Sequence, residues 1–194
     1  MKIYAIRHGQ TDYNLNRLVQ GWTDHPLNQN GIDQAALMGR FLKKQMISFT
    51  KIISSPLMRS TDTARIIQKW MGIELPIEID NSFIERNFGV FEGDDVDITS
   101  KTISAPNFKR DGYEHDEALL QRIELGLNQL YERYPNDVIL LSCHSHVIKS
   151  LLILADPKTY TFRTFLNNGS LCTFEYDGKK LLVSEYNIEP DDKP

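Results

Sequence analysis

The sequence predicts an α/β fold, a three-layer α/β/α sandwich with a mostly parallel central sheet and an edge hairpin. Three observations predict it. Short apolar runs alternate with stretches of helical period from one end of the chain to the other. One run, Val138-Ile139-Leu140-Leu141-Ser142-Cys143, is apolar without alternation, the pattern of a central strand covered on both faces. Near the end, Asp177-Gly178 separates two strand-like runs, which is a strong hairpin signal.

The elements follow in order. A first strand is expected over 3–6, then a polar loop from Thr11 to Pro26. Asn28 is the expected N-cap of a helix over about 29–46, with Ile32, Ala36, Gly39, Leu42 and Met46 on one face. Lys51-Ile52-Ile53-Ser54 reads as a strand. Ser55-Pro56 reads as an N-cap followed by proline at the first helical position. Leu57, Thr61, Ala64, Ile67 and Met71 then share a face, and Gly72 ends the helix. A short strand is expected over 76–79. Residues 94–116, with Pro106 and Gly112, show no period and read as an irregular insertion. A helix follows from about Leu119 to Tyr134, stopped by Pro135-Asn136. The strand 138–143 leads into a helix over 145–155, and strands near 171–176 and 181–187 close the chain. The expected organisation is a single domain over 1–188 with a frayed tail over 189–194.

Composition narrows the function classes. The chain has 194 residues, 41% of them hydrophobic, and a net charge of -4. No lysine or arginine run exists beyond Lys109-Arg110, which argues against nucleic acid as a partner. No apolar stretch approaches the ~18 residues a membrane span needs. The strand beginning at Met1-Lys2-Ile3 leaves no room for a signal peptide. Cys143 and Cys172 lie in strand-like runs and read as buried thiols. A cytoplasmic protein is expected; no feature speaks to oligomeric state.

Chemistry enters at Arg7-His8-Gly9, where the first strand ends. Imidazole can attack or shuttle protons near neutral pH. Guanidinium is a fixed fork matched to phosphate oxygens. Arg59 falls in the first turn after the second strand, and His144 ends the strand 138–143. Ligand sites in open α/β sheets lie beyond the C-terminal strand ends. Three distant segments thus deliver two arginines and two histidines to one edge, where helix N-termini add N–H donors. Phosphate-ester chemistry is the first hypothesis; strand-end surface charge is its competitor.

Other phosphate machines are excluded. There is no P-loop. Neither cysteine is followed six residues later by arginine, and there is no Gly-x-Ser-x-Gly elbow. His144-x-His146 with His8 has a spacing that could hold zinc. Arg7 and Arg59 would repel a cation in the same pocket, so no metal and no other cofactor is expected.

The residues together resemble the histidine phosphatase superfamily, also called the phosphoglycerate mutase-like family. The resemblance rests on Arg7-His8-Gly9-Gln10-Thr11 with Asn14, on Gln20-Gly21-Trp22 with Asp24, Pro26-Leu27 and Gly31, and on Ser54-Ser55-Pro56-Leu57 with Arg59 and Thr63-Ala64. It continues through Glu85, Gly89, Phe91-Glu92-Gly93, Ser142, His144 and Asn168-Gly169-Ser170. It implies the phosphoglycerate mutase-like fold, with His8 as nucleophile carrying a phosphohistidine. Arg7, Arg59 and His144 would bind the phosphoryl group, with Asn14, Gln20, Gly21 and Ser145 around it. On the residues alone, Glu85 and Glu92 are equal candidates for the general acid. The family's Glu-x-x-x-Gly pattern favours Glu85, leaving Glu92 structural. Ser145 stands where glycine commonly follows the second histidine. Phe91 replaces a common tryptophan, and Arg65 a common carboxylate.

The expected reaction is hydrolysis of a small phosphate monoester from a phosphorylated metabolite. Glu85-Arg86 matches a fragment of the mutase pattern, whereas Asn87-Phe88 departs from it and the extra mutase length is missing. A cofactor-dependent phosphoglycerate mutase is the alternative within the class, and a catalytically idle regulatory member the alternative outside it. Lys101, Lys109 and Arg110 in the insertion are expected to set the preference for acidic substrates.

Overall fold

The computed structural model describes residues 1–105 and 108–190, so Pro106 of the insertion and 191–194 of the expected tail lie outside the described residues. Among the described residues, six strands form one sheet in the order β3-β2-β4-β1-β5-β6. They are β1 (Lys2–Arg7), β2 (Lys51–Ser54), β3 (Ile77–Ile79), β4 (Val138–Cys143), β5 (Leu171–Tyr176) and β6 (Leu181–Ile188). The first four run parallel, and β5 and β6 add an antiparallel hairpin at one edge. This is the architecture the alternation of elements predicts.

Strand alternation makes the two cores. Ile3 and Ala5 of β1 and Ile139, Leu141 and Cys143 of β4 pack with α5 (Asp116–Arg133) and α6 (Ser145–Ala155). Tyr4, Ile6, Ile52 and Leu140 point the other way, onto α2 (Gln29–Lys44) and α3 (Met58–Met71). β4 is therefore covered on both faces, as its unbroken apolar run requires. Cys143 and Cys172 are buried free thiols.

Four details differ from the sequence expectations. α2 ends at Lys44, and Met46 is 88% exposed with a positive φ of 54°. Its buried face is Gly31, Ala35, Ala36, Met38, Gly39 and Leu42, and Ile32 stays half outside. Second, Ser55 is not an N-cap: α3 starts at Met58 after Leu57, with no side-chain cap. Asp24 from the first loop serves instead, its Oδ1 accepting the Met58 N–H at 2.8 Å. Third, the insertion is not irregular throughout; it holds α4 (Val96–Ile103). Asp95 caps it by accepting from the Asp97 and Ile98 N–H groups. Thr99 is its one buried residue, so no apolar period marks it in sequence. Fourth, the polar loop contains one short helix, α1 (Asp12–Leu15), closed by a capping box between Thr11 and Asn14.

Register places the chemistry. Ser142 of β4 is level with Ile6 of β1 and with Ser54 of β2. His8, Ser55 and His144 therefore emerge together beyond the same sheet edge.

Candidate active site

The turn after β1 is built for close approach. A Cβ on Gly9 would sit 2.2 Å from the Gly31 carbonyl oxygen, so only glycine lets the β1 exit press against α2. The Gly9 N–H donates to Thr63 Oγ1 at 3.1 Å, which ties this turn to α3. The Gly9 carbonyl lies 2.7 Å from His8 Nδ1. A carbonyl only accepts, so Nδ1 carries the proton and Nε2 keeps its lone pair. Nε2 accepts from Arg59 Nε at 3.3 Å. Burial, then Arg59, His144 and Arg7, holds the His8 imidazole well below its ordinary pKa. The resting ring is thus neutral, with its lone pair on the nitrogen next to Arg59.

Arg59 is fully buried in the first turn of α3. Its two terminal nitrogens donate to the Gly21 carbonyl at 2.8 Å and the Thr23 carbonyl at 3.0 Å. Gly21 adopts φ +56°, and a Cβ there would lie 2.0 Å from Glu92 Oε1. Glu92 braces this loop: it accepts the Trp22 N–H at 2.8 Å, the Thr23 N–H at 2.7 Å and the Thr23 hydroxyl. All of its oxygens are spent on structure.

Arg7 reaches the edge from β1 and donates through Nη1 to the Leu166 carbonyl. Burial, eased by Glu85 and deepened by Arg59, lowers its pKa to about 10. His144 is fully buried, its ring centroid 5.2 Å from that of His8. Its Nε2 is 2.6 Å from Ser55 Oγ, which is why Ser55 does not cap α3. Burial, then Arg59, keeps its pKa well below the ordinary value. Beside His8, Arg7 Nε and His144 Nδ1 are buried without a partner, as are Arg86 Nε and Thr99 Oγ1 on the outer wall of the cavity. Buried donors are nearly always satisfied in folded proteins, so an unmet pair marks a place for a ligand atom.

Glu85 is buried after β3, at the N-terminus of α6. It accepts the Arg86 N–H at 2.8 Å and the His146 N–H at 3.2 Å. Burial alone would raise its pKa, but the His146 and His144 side, with the Arg86 N–H, outweighs it and holds the carboxyl well below its ordinary value. Arg122 fixes the segment by donating to the carbonyls of Ser82, Ile84 and Glu85, and it is itself clamped by Glu114.

Asn14 and Gln20 join this wall through Thr11. Asn14 Oδ1 accepts from Thr11 and from Asn168 Nδ2, which also donates to the His8 carbonyl. Gln20 Oε1 accepts the Thr11 hydroxyl at 2.9 Å. A cavity of ≈ 930 Å³ is lined by Arg7, His8, Asn14, Gln20, Gly21, Arg59, Glu85 and Ser145. Its fringe is formed by α4 and by residues 160–166. Lys101, Lys109 and Arg110 do not line it and are exposed, which corrects the expectation that they set substrate preference. α4 turns Thr99, Ser100 and Ile103 inward instead, and the cations on the outer wall are Arg86, Lys149 and Arg163. Arg65 pairs with Asp62 on the surface.

Sequence reasoning gave no role to Thr63, Arg122 or Lys149, read Ser55 only as a helix cap and weighed His146 only as a zinc ligand. The hydroxyl of Ser55 could have been found, since it follows β2 at the edge where His144 follows β4. Arg122 sits beside the apolar face of α5 and carries no local signal. His146 is set between Phe88 and Phe162 rather than with His8 and His144. Among the described residues, no three His, Cys, Asp or Glu side chains form a set that could hold a metal ion.

A mostly parallel sheet whose C-terminal edge gathers a neutral histidine, buried guanidinium groups and unmet donors defines an oxyanion-handling enzyme. A model of the histidine phosphatase superfamily (branch 1) matches residues 3–189, and the chain belongs to that family. It is 35% identical to the uncharacterized phosphatase PhoE of Bacillus subtilis, over 96% of this chain and 94% of that one. It is 30% identical to the probable phosphoglycerate mutase GpmB of Salmonella choleraesuis, over 97% of this chain and 91% of that one. Among solved structures, the phosphoserine phosphatase of Entamoeba histolytica in complex with 3-phosphoglyceric acid superposes with a TM-score of 0.81. It shares 26% identity, covering 96% of each chain.

Proposed function

We propose that this protein is a metal-independent phosphatase that hydrolyses a small phosphate monoester through a phosphohistidine on His8. One observation carries the reading. His8 presents a neutral Nε2 lone pair beside Arg59, while Arg7 Nε and His144 Nδ1 stand buried without partners. A phosphoryl group on Nε2 would satisfy both nitrogens and would place its equatorial charge among fixed cations.

The steps balance with this chain's own groups. The Nε2 lone pair attacks phosphorus, the ester P–O bond breaks, and Glu85 gives its proton to the leaving oxygen. Nδ1–H stays on the Gly9 carbonyl, so the phosphorylated ring remains oriented. Water then attacks phosphorus, its proton passes to Glu85, and the N–P bond breaks with its electron pair returning to Nε2. Arg7, Arg59 and His144 hold the oxygens throughout, with Asn14, Gln20, Gly21 and Ser145 forming the surrounding wall.

The expected substrate is a phosphorylated metabolite, in keeping with the phosphoserine phosphatase likeness. The mutase reading is supported by the GpmB likeness and by Glu85-Arg86. Two unpaired buried thiols suit a reducing cytoplasm, and among the described residues no helix is long and apolar enough to cross a membrane. The test is rapid-quench labelling with a phosphate-labelled aryl ester. An acid-labile, base-stable label on His8 is expected, with orthophosphate as product. His8→Ala should abolish label and turnover without unfolding the protein; near-normal turnover in that variant would overturn the mechanism. Transfer of the label to a glycerate rather than to water would favour the mutase.

A further inference from the structure

The mechanism asks Glu85 to donate a proton, yet the hydrogen bonds and charges around its carboxylate outweigh burial and favour the ionised form. Its Oε1 accepts from the Arg86 N–H, and both oxygens lie within reach of the N–H of His146, the second residue of α6, where the helix N-terminus favours an anion. Arg7 and Arg59 lie on the pocket side, His144 on the α6 side, and Arg122 donates to the Glu85 carbonyl from α5. The free enzyme therefore holds a carboxylate where the reaction needs an acid. One side chain outside the phosphoryl machinery stands at this carboxylate. His146 Nδ1 is 3.9 Å from Glu85 Oε2, while its own backbone N–H holds the same carboxylate. Its ring is stacked on Phe162 at 5.6 Å and edge-on to Phe88 at 5.3 Å between centroids, so it is fixed rather than free to swing.

Building on the phosphatase reading, we propose that Glu85 and His146 form one proton-sharing pair that takes up a proton when a phosphate dianion enters the pocket, with His146 as the positioning residue of the acid. The charges around the pair supply a trigger of this kind. The cations Arg86 and Lys149 also face His146, and burial with these charges outweighs the opposing effect of Glu85 and lowers the His146 pKa to about 4. A dianion a few ångströms away reverses the local balance, because it penalises a second negative charge on Glu85. One proton then enters from solvent and resides on the pair. It moves from the Glu85 carboxyl to the leaving oxygen, and Glu85 returns to carboxylate. The attacking water restores it, and it leaves with phosphate. The acid is thus loaded only when substrate is present, and the pair titrates as a unit.

Tungstate is a dianion near neutral pH and is the probe. Calorimetric titration at pH 7 in buffers of different ionisation enthalpy counts the protons taken up per tungstate bound. At least half a proton is expected for the wild type and close to none for Glu85→Gln. His146→Asn keeps a donor where Nδ1 stands but does not titrate. It should cut the uptake at least twofold and shift the acid limb of kcat/KM for an alkyl phosphate by at least half a pH unit. His146→Phe preserves the packing between Phe88 and Phe162 and should show the same defect. No uptake in the wild type, or unchanged uptake and pH profile in His146→Asn, overturns the pair. Aryl-phosphate turnover and the His8 label in the same variants report separately on the phosphatase reading, which survives that outcome if both persist.

Discussion

Ser55→Ala is a sharp test of how the second histidine works. His144 Nδ1 is buried and unmet, whereas Nε2 lies 2.6 Å from Ser55 Oγ. An oxyanion needs a donor at Nδ1, so the Ser55 hydroxyl must give its proton to Nε2 and leave the ring hydrogen on Nδ1. Alanine removes that donor from a fully buried place. The lost bond is worth ~1 kcal/mol, and the stranded nitrogen costs a further ~1–2 kcal/mol. If that loss falls on the transition state, kcat/KM drops ~30- to 150-fold. The assay is steady-state turnover of an aryl phosphate, with vanadate inhibition measured alongside and thermal unfolding as the control for folding. Oxyanion affinity should fall with the rate, because the same Nδ1–H serves both. Turnover within about threefold of wild type would refute the tautomer argument.

Other outcomes follow from the same geometry. Glu85→Gln should cost ~10²- to 10⁴-fold for alkyl phosphates and much less for aryl phosphates, whose leaving groups need little protonation. Glu92→Gln should instead lower the melting temperature, by ~1–3 kcal/mol of stability, with no leaving-group dependence, because its oxygens hold the 22–23 turn. Alanine at Lys101, Lys109 or Arg110 should leave the ranking of acidic substrates unchanged in a substrate panel, whereas Lys149→Ala should reorder it, since of these four residues Lys149 alone lines the cavity. Stability should fall in acid: His8 and His144 are depressed by burial, so below ~6.5 the unfolded chain binds more protons than the folded one. Their contribution is complete above that pH and is lost progressively as the pH falls from there toward their lower folded-state values, with Glu85 adding to the loss at lower pH. Melting temperature should therefore decline from pH 7 to pH 5, less steeply in His8→Asn; a flat profile contradicts it.

Much of the fold is legible in sequence because the strands carry their own signals. The β4 run announces burial on both faces, and Asp177-Gly178 announces the hairpin. α4 is not legible, because only Thr99 is buried and its stability comes from Asp95 and from contacts outside the segment. Met46 shows the opposite failure: its spacing fits the helix, but α2 has already ended at Lys44. At the candidate site, residues that follow strands can be placed by topology alone, which is how Arg7, His8 and His144 come to one edge. Side chains that act through long-range partners cannot. Arg122 reaches Glu85 across 37 positions of sequence, and Ser55 reaches His144 across 89.

The same distance rule explains why a motif reading puts Ser55 at a helix cap. A serine before a proline satisfies the local criterion for capping, and nothing nearby in sequence competes for its hydroxyl. The competitor is a buried imidazole from another strand, and a buried nitrogen left unpaired costs more than an exposed helix start, which Asp24 can supply instead. Local propensity therefore yields where a buried polar group must be satisfied. Arg7 Nε and His144 Nδ1 are among the buried polar atoms left without an internal partner among the described residues. On the proposed mechanism, a bound oxyanion would return to these two nitrogens the stability that the fold gives up by leaving them unpaired.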